Sequence, residues 1–215
     1  MHVLIDNLGT ILRGFRETVE VAIIAMAVST VFGTILAAMR VSPVAPLRWL
    51  GTAYVNVFRN TPLLLLFVFF IFGIPKLGLN FSFFTRAVLA VTVYSAAFVC
   101  EAVRSGINTV PVGQAEAARA IGMTFGQTLR NIVLPQALRA SIPPVASLMI
   151  ALLRNTSVAE AFGTKEAAYQ LDSLGNRHAS ALIWLFIGIA IGYIILSLLI
   201  AGGFRLLERR LAVVR

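Results

Sequence analysis

Between Glu20 and Arg40 the chain reads VAIIAMAVSTVFGTILAAM (Val21–Met39), a run with no charged residue. A helix needs about 20 apolar residues to cross the hydrocarbon core of a bilayer, so this stretch is read as a membrane span. A second uncharged run, Ala179–Phe204, lies between His178 and Arg205. Between the two lie three shorter apolar runs: Asn60–Pro75 after Arg59, Ala87–Cys100 between Arg86 and Glu101, and Ala140–Leu153 between Arg139 and Arg154. Each reaches spanning length only if a charged flank sits in the headgroups or turns to the protein interior. The fold class that follows is all-α and integral to a membrane, with five transmembrane helices.

Composition agrees. Of 215 residues, 59% are hydrophobic and 13% charged, against about 25% charged in a soluble domain. Charge this sparse cannot cover a globule of this size, so membrane lipid must cover much of the surface. The formal charge of +9 does not indicate nucleic acid, which would need a basic patch on a soluble face. Basic clusters beside membrane spans account for it.

The expected spans cover about 16–40, 52–74, 84–104, 138–158 and 180–204, in one transmembrane domain over 1–215. Residues from 1 to about 15, with Val3, Leu4, Leu8, Ile11 and Leu12 near helical spacing, read as an amphipathic helix lying on the membrane surface. They lack the apolar core of a cleavable signal. Arg40 and Arg48, then Arg104, Arg119, Arg130 and Arg139, then Arg205, Arg209, Arg210 and Arg215 fall on one side of the membrane. Arg13, Arg16, Lys76, Arg86, Lys165 and Arg177 fall on the other. The richer side is cytoplasmic, which puts the N-terminus outside and the C-terminus inside a plasma membrane.

Little else in the chain carries chemistry. Cys100 is a lone thiol in an apolar run and reads as a small buried hydrophobe. His2 and His178 lie far apart, and neither a metal-ligand spacing nor a catalytic set is apparent, so the chain is not read as an enzyme. An ionisable side chain in hydrocarbon costs about 2.5–3.5 kcal/mol or more, so Glu101, Arg104, Arg154 and Arg59 are expected to face a bundle interior or a wet cavity. Pro143 and Pro144 interrupt the fourth run, whose freed carbonyls neighbouring protein must satisfy. Short, interrupted apolar segments are the best sequence pointer to a transport path.

The polar stretch from Arg104 to Arg139 reads as two short helices around a turn. Gln114 to Ile121 forms the first, and Gly122 ends it in a left-handed conformation. Thr124 caps the second, with Gln127 three residues on, and Pro135 limits it. This loop carries Glu116-Ala117-Ala118, three residues, Gly122, nine residues, then Ile132-Val133-Leu134-Pro135.

That pattern resembles the EAA loop of ATP-binding-cassette importer permeases, matching every fixed position at the right spacing. Ala117 and Ala118 permit close approach to a partner, Glu116 offers a carboxylate, and Gly122 turns the chain back toward the membrane. Other segments narrow the resemblance. Phe58-Arg59-Asn60-Thr61-Pro62-Leu63, Ser95-Ala96 through Glu101, Arg104 and Gly106, and Leu153-Arg154-Asn155-Thr156-Ser157 are similar to segments of the polar amino acid permeases for histidine, glutamine, arginine and glutamate. Asn60 stands where glycine is usual, Ser105 replaces the first of two glycines, and Asn155 replaces aspartate. These variants, with Arg104–Val110, look most like actinobacterial glutamate-type subunits.

The resemblance implies a coupling-helix loop over about 105–137, docking in a groove of a cytoplasmic ATPase subunit. It also implies a second permease subunit, homologous or identical, and an extracellular solute-binding protein. The chain has no G-x-x-x-x-G-K-[ST] phosphate loop, so ATP and Mg would be bound by the partner ATPase, with no cofactor in this chain. A polar amino acid carries an ammonium and a carboxylate. Glu101 is a candidate for the first and Arg154 for the second, with Asn155, Thr156 and Ser157 adding hydrogen bonds. Two alternatives remain at this level: an importer permease for another solute class, such as dipeptides or an inorganic anion, and a self-sufficient secondary carrier. The flanking segments oppose the first, and a requirement for an ATPase partner discriminates against the second.

Overall fold

The computed structural model describes residues 2–211; Arg215 of the terminal basic cluster lies outside them. Twelve α-helices and short π- and 3-10-helical turns account for the architecture, with no strand among the described residues. α1 (His2–Asp6) is joined to α2 (Leu8–Arg40) through Asn7, whose side-chain amide donates to the Val3 carbonyl at 2.9 Å.

α2 runs unbroken for 33 residues, starting earlier than the charges around Arg13 to Glu20 suggest. Small and apolar residues at Ile11, Gly14, Thr18, Val21, Ala22, Ala25, Ser29 and Gly33 recur every three or four positions and are buried. The first of these turns pack on protein, while Ile5, Leu8 and Leu12 stay exposed on the other side. Leu4 sits over Gly188 and Phe15 over Gly192, both on α12 (Leu182–Leu211), where an added Cβ would overlap the incoming side chain. Ile11, Leu174, Leu185 and Ile189 complete this small cluster.

α2 packs along α6 (Phe83–Asn108) by the close approach that small residues allow. A Cβ at Gly33 would stand 2.7 Å from Val99 and 2.8 Å from the Ala96 carbonyl oxygen. Beside it the Ser29 hydroxyl donates to the Thr92 carbonyl at 3.1 Å. The main core surrounds α6, with Met26, Val55, Phe67, Val91, Val99, Cys100, Val103, Leu152 and Leu153 buried in it. Cys100 is a buried free thiol.

The second apolar run is not one straight helix. α3 (Ala45–Asn60) is followed, after Thr61 and Pro62, by the helical segment Leu63–Lys76, and the two are bent by 101°. The proline ring disfavours the helical region for the residue before it, and Thr61 is extended at φ −87° and ψ 128°. Within the second piece, α4 (Leu63–Val68) passes through a π-helical turn at Phe69–Gly73 into α5 (Ile74–Lys76).

α6 extends to Asn108, so the polar loop is shorter than the expected stretch from about 105. After it come α7 (Val112–Ala120), α8 (Phe125–Thr128), a π-helical turn at Leu129–Val133, and α9 (Leu134–Ala140). Pro135 does not stop the second helix; the chain meets it with the π turn just before.

Pro143 and Pro144 fall in the first turn of α10 (Ile142–Asn155). A missing amide hydrogen is harmless there, because first-turn amides have no partner within the helix. The expected span from about 138 is instead divided at Ser141, whose hydroxyl donates to Ala102 and Ala137 carbonyls at 3.1 and 2.6 Å. A 3-10 stretch, Thr156–Phe162, continues α10, and Gly163 ends it at φ +85°. α11 (Ala167–Arg177) precedes α12.

Among the described residues, four helices are long and apolar enough to cross a membrane, or five with the bent pair counted as one span. Trp184, Phe186, Ile187, Ile194, Leu198 and Leu199 leave α12 oily on its outer side, as lipid requires.

Candidate functional site

Three features stand out: the hairpin α7–α9, a charged cluster on α6, and a small cavity beside it. The hairpin is fixed by local chemistry. Gly122 has φ +89°. Its amide bonds the Arg119 carbonyl at 3.0 Å and the Met123 amide bonds the Ala118 carbonyl at 3.1 Å, a Schellman termination. Thr124 and Gln127 then form the capping box, with bonds of 3.3 and 2.8 Å. Gln136 donates to both the Ile132 carbonyl and the Gln114 side chain, tying α9 to α7.

Ala118 faces inward at 5% exposure, while Glu116 and Ala117 face outward. Ile132 and Leu134 are half-buried and Pro135 is exposed. Two residues that the motif does not include are the most exposed apolar groups of the hairpin, Val112 at 72% and Ile121 at 81%. The signal for Ile121 was present in sequence: an isolated large aliphatic beside the turn glycine of a polar loop. The hairpin joins the bundle where α6 meets α9. A Cβ at Gly106 would fall inside the van der Waals shells of the Ala137 carbonyl oxygen and the Ser141 hydroxyl.

The charged cluster gathers three helices around one carboxylate. Arg40, from the end of α2, pairs with Glu101 Oε1. Arg104 bonds Oε2 through two nitrogens at 3.1 and 2.9 Å. Arg59, from the end of α3, stands 3.6 Å from Oε1. Glu101 is thus engaged by guanidinium groups, and no ion pair joins it to Arg154 among the described residues.

The cavity measures about 100 Å³ and is lined by Tyr94, Ser95, Phe98, Leu148, Ala151, Leu152 and Asn155. Of the expected path residues, Asn155 alone lines it. Arg154 is exposed. Thr156 and Ser157 turn their hydroxyls back to the Leu153 and Arg154 carbonyls at 2.8 and 2.7 Å.

Glu166 escaped the sequence reading because it follows Lys165 in what looks like a polar loop. It is fully buried and caps α11 through the Tyr169 amide at 2.9 Å. Tyr193 donates to it at 2.6 Å and Thr18 at 3.1 Å. Burial pushes its carboxyl above the usual range, against these bonds, which favour the charged form.

Comparison with known proteins places these features in context. Residues 29–213 match the family model described as binding-protein-dependent transport system inner membrane component. The glutamate transport system permease protein GluC of Corynebacterium glutamicum is 43% identical, with 99% of each chain covered. The probable glutamine ABC transporter permease protein GlnM of Bacillus subtilis is 39% identical over 98% of this chain and 97% of its own. A crystal structure of an amino acid ABC transporter with histidines matches with a TM-score of 0.86 at 28% identity, covering 96% of both chains.

Proposed function

Because the chain belongs to the family of binding-protein-dependent transport system inner membrane components, we propose that it is the transmembrane subunit of an ATP-driven importer of a polar amino acid, with glutamate as the first choice of substrate. It lies in the plasma membrane with its N-terminus outside and its C-terminus in the cytoplasm. It performs no covalent chemistry. A second permease subunit, homologous or identical, completes the path, an extracellular solute-binding protein delivers the substrate, and two ATPase subunits bind ATP and Mg.

The observation that carries this reading is the hairpin. A rigid helix presents Glu116 and Ala117 outward, with bare apolar side chains at Val112 and Ile121. An exposed aliphatic flanking a polar helix suits a protein groove. Ala118, Gly122, Ile132, Leu134 and Pro135 shape the hairpin and root it at Gly106, so a push on α7 passes to α6. Alternating access would follow from that movement. The substrate passes the cavity lined by Tyr94, Ser95, Phe98 and Asn155, with Glu101, Arg154, Thr156 and Ser157 in the segments that frame it. Glutamate is favoured by the relatives named for glutamate and glutamine transport.

The test is uptake by proteoliposomes holding the permease, its partner subunits and the binding protein. Glutamate should accumulate only with internal ATP. Uptake that persists without the ATPase would make the chain a secondary carrier. ATP-driven uptake of a different solute class would refute the substrate assignment.

A further inference from the structure

The cluster on Glu101 holds more positive charge than it can neutralise. Arg40, Arg59 and Arg104 converge on one carboxylate. Arg40 and Arg104 occupy its two oxygens. Arg59 arrives last: at 3.6 Å its pairing is beyond hydrogen-bond length. Its guanidinium makes no hydrogen bond among the described residues, and its side chain is 50% exposed, against 14% for Arg40. Arg40 and Arg104 already bond both oxygens of Glu101, so the guanidinium donors of Arg59 are free to take a further anion.

Arg59 also stands beside the cavity that the functional reading above assigns to the substrate. It lies in the last turn of α3, three residues before Pro62 at the 101° break. Its guanidinium carbon lies 6.0 Å from the centroid of Phe98, and Phe98 is a wall of the Tyr94–Asn155 cavity. No charged side chain lines that cavity. It can hold the uncharged part of a small zwitterion, but a carboxylate there needs a cation at the edge. Arg59 is held at that edge by Glu101 on one side and the Phe98 ring on the other. Arg154, nominated by sequence, is exposed as Arg59 is, but neither an ion pair nor an aromatic ring holds it among the described residues.

We infer that Arg59 receives a carboxylate of the transported amino acid, with Glu101 and Phe98 as the residues that position it. The planar guanidinium fork fits a carboxylate by two parallel hydrogen bonds. The assignment rests on the amino acid permease reading above. The carboxylate is either the α-carboxylate shared by all amino acids or the side-chain carboxylate of glutamate.

The experiment compares unaltered, Arg59→Gln and Arg59→Lys transporters, each assembled with its partner subunits and binding protein in proteoliposomes. Assembly is checked by co-purification of the ATPase. Initial rates are measured for glutamate and for glutamine. Arg59→Gln should cut glutamate uptake by about tenfold or more, the loss expected for a charge-assisted fork. Arg59→Lys, which keeps the charge and loses the fork, should retain assembly and fall between. A matching loss for glutamine assigns Arg59 to the α-carboxylate, and a loss confined to glutamate assigns it to the side chain. Glutamate uptake within twofold of the unaltered complex in the variants that assemble would overturn the inference alone. An unaltered complex that moves no amino acid would overturn the functional reading and this inference together.

Discussion

Arg86 donates a hydrogen bond from its guanidinium to the main-chain carbonyl of Ile71, at 2.8 Å. Ile71 lies four residues before Pro75, which has no amide hydrogen to offer that carbonyl. The chain passes this point as a π-helical turn at Phe69–Gly73, and Arg86 reaches from the start of α6 to the carbonyl that the proline abandons. Phe83 lies under the guanidinium, 4.5 Å from ring centroid to Cζ. A side chain from one segment thus replaces a helix bond in another.

This replacement predicts non-additive mutations. Arg86→Ala should destabilise the protein by about 1–3 kcal/mol, because it leaves a buried carbonyl unpaired. Pro75→Ala supplies an amide donor to Ile71 and lets the turn regain α-helical register. In the Pro75→Ala background the cost of Arg86→Ala should therefore shrink. Thermal unfolding of the four proteins in detergent gives the cycle; strictly additive costs would show that Arg86 and Pro75 act independently.

Gly106 is the second point where backbones meet. It has no room for a Cβ against the Ala137 carbonyl oxygen and the Ser141 hydroxyl. The obstacle is main chain, which cannot rotate aside. Gly106→Ala should cost about 1–3 kcal/mol as α6 and α9 part. It should also weaken transmission from the hairpin, so that uptake per ATP falls. Gly113→Ala on α7, where an added Cβ meets nothing within 4 Å, is the control and should be neutral. Equal melting temperatures for the two variants would contradict the packing described.

How much of this was legible in the sequence depends on the range of the interaction. The capping box at Thr124–Gln127 and the left-handed Gly122 were readable because each is decided within six residues. The long spans α2 and α12 were readable from apolar run length. The bend at Thr61–Pro62 was not, because Arg59, Asn60, Thr61 and Pro62 read equally well as a charged flank of one span, and the 101° angle depends on how the two pieces pack. The N-terminal packing on α12 was hidden because Leu4 and Phe15 need Gly188 and Gly192, far along the chain. Arg59, Arg40 and Arg104 were visible as charges beside apolar runs, but their convergence on Glu101 depends on how three helices pack.

Glu166 supplies a pH dependence. The unfolded chain titrates it near the ordinary value of about 4.3, and burial raises it in the fold. A raised carboxyl binds its proton more tightly in the folded state. Its contribution to stability is fully present below the ordinary value and is lost as pH rises through the folded value. Glu166→Gln removes the titration while keeping the side chain's shape and its acceptor for Tyr193 or Thr18. As pH rises from the ordinary carboxyl value, the melting temperature of the unaltered protein should fall relative to that of the variant. A constant offset over that rise would show that the carboxyl does not titrate there.

Ile121 separates docking from folding. Its side chain is 81% exposed at the C-cap of α7, so replacing it removes almost no internal contact. Ile121→Asp should change stability by no more than about 0.5 kcal/mol, as for most surface substitutions. If α7 enters an apolar groove of the ATPase, burying that new carboxylate is costly and the complex should fall apart on a sizing column. Ile121→Leu keeps the aliphatic bulk and should leave the complex whole. Glu116→Gln tests the neighbouring polar contact: it keeps the shape, loses the charge and should weaken the complex less than Ile121→Asp does. An Ile121→Asp permease that folds and still carries its full complement of ATPase would mean that the hairpin tip is not the docking surface.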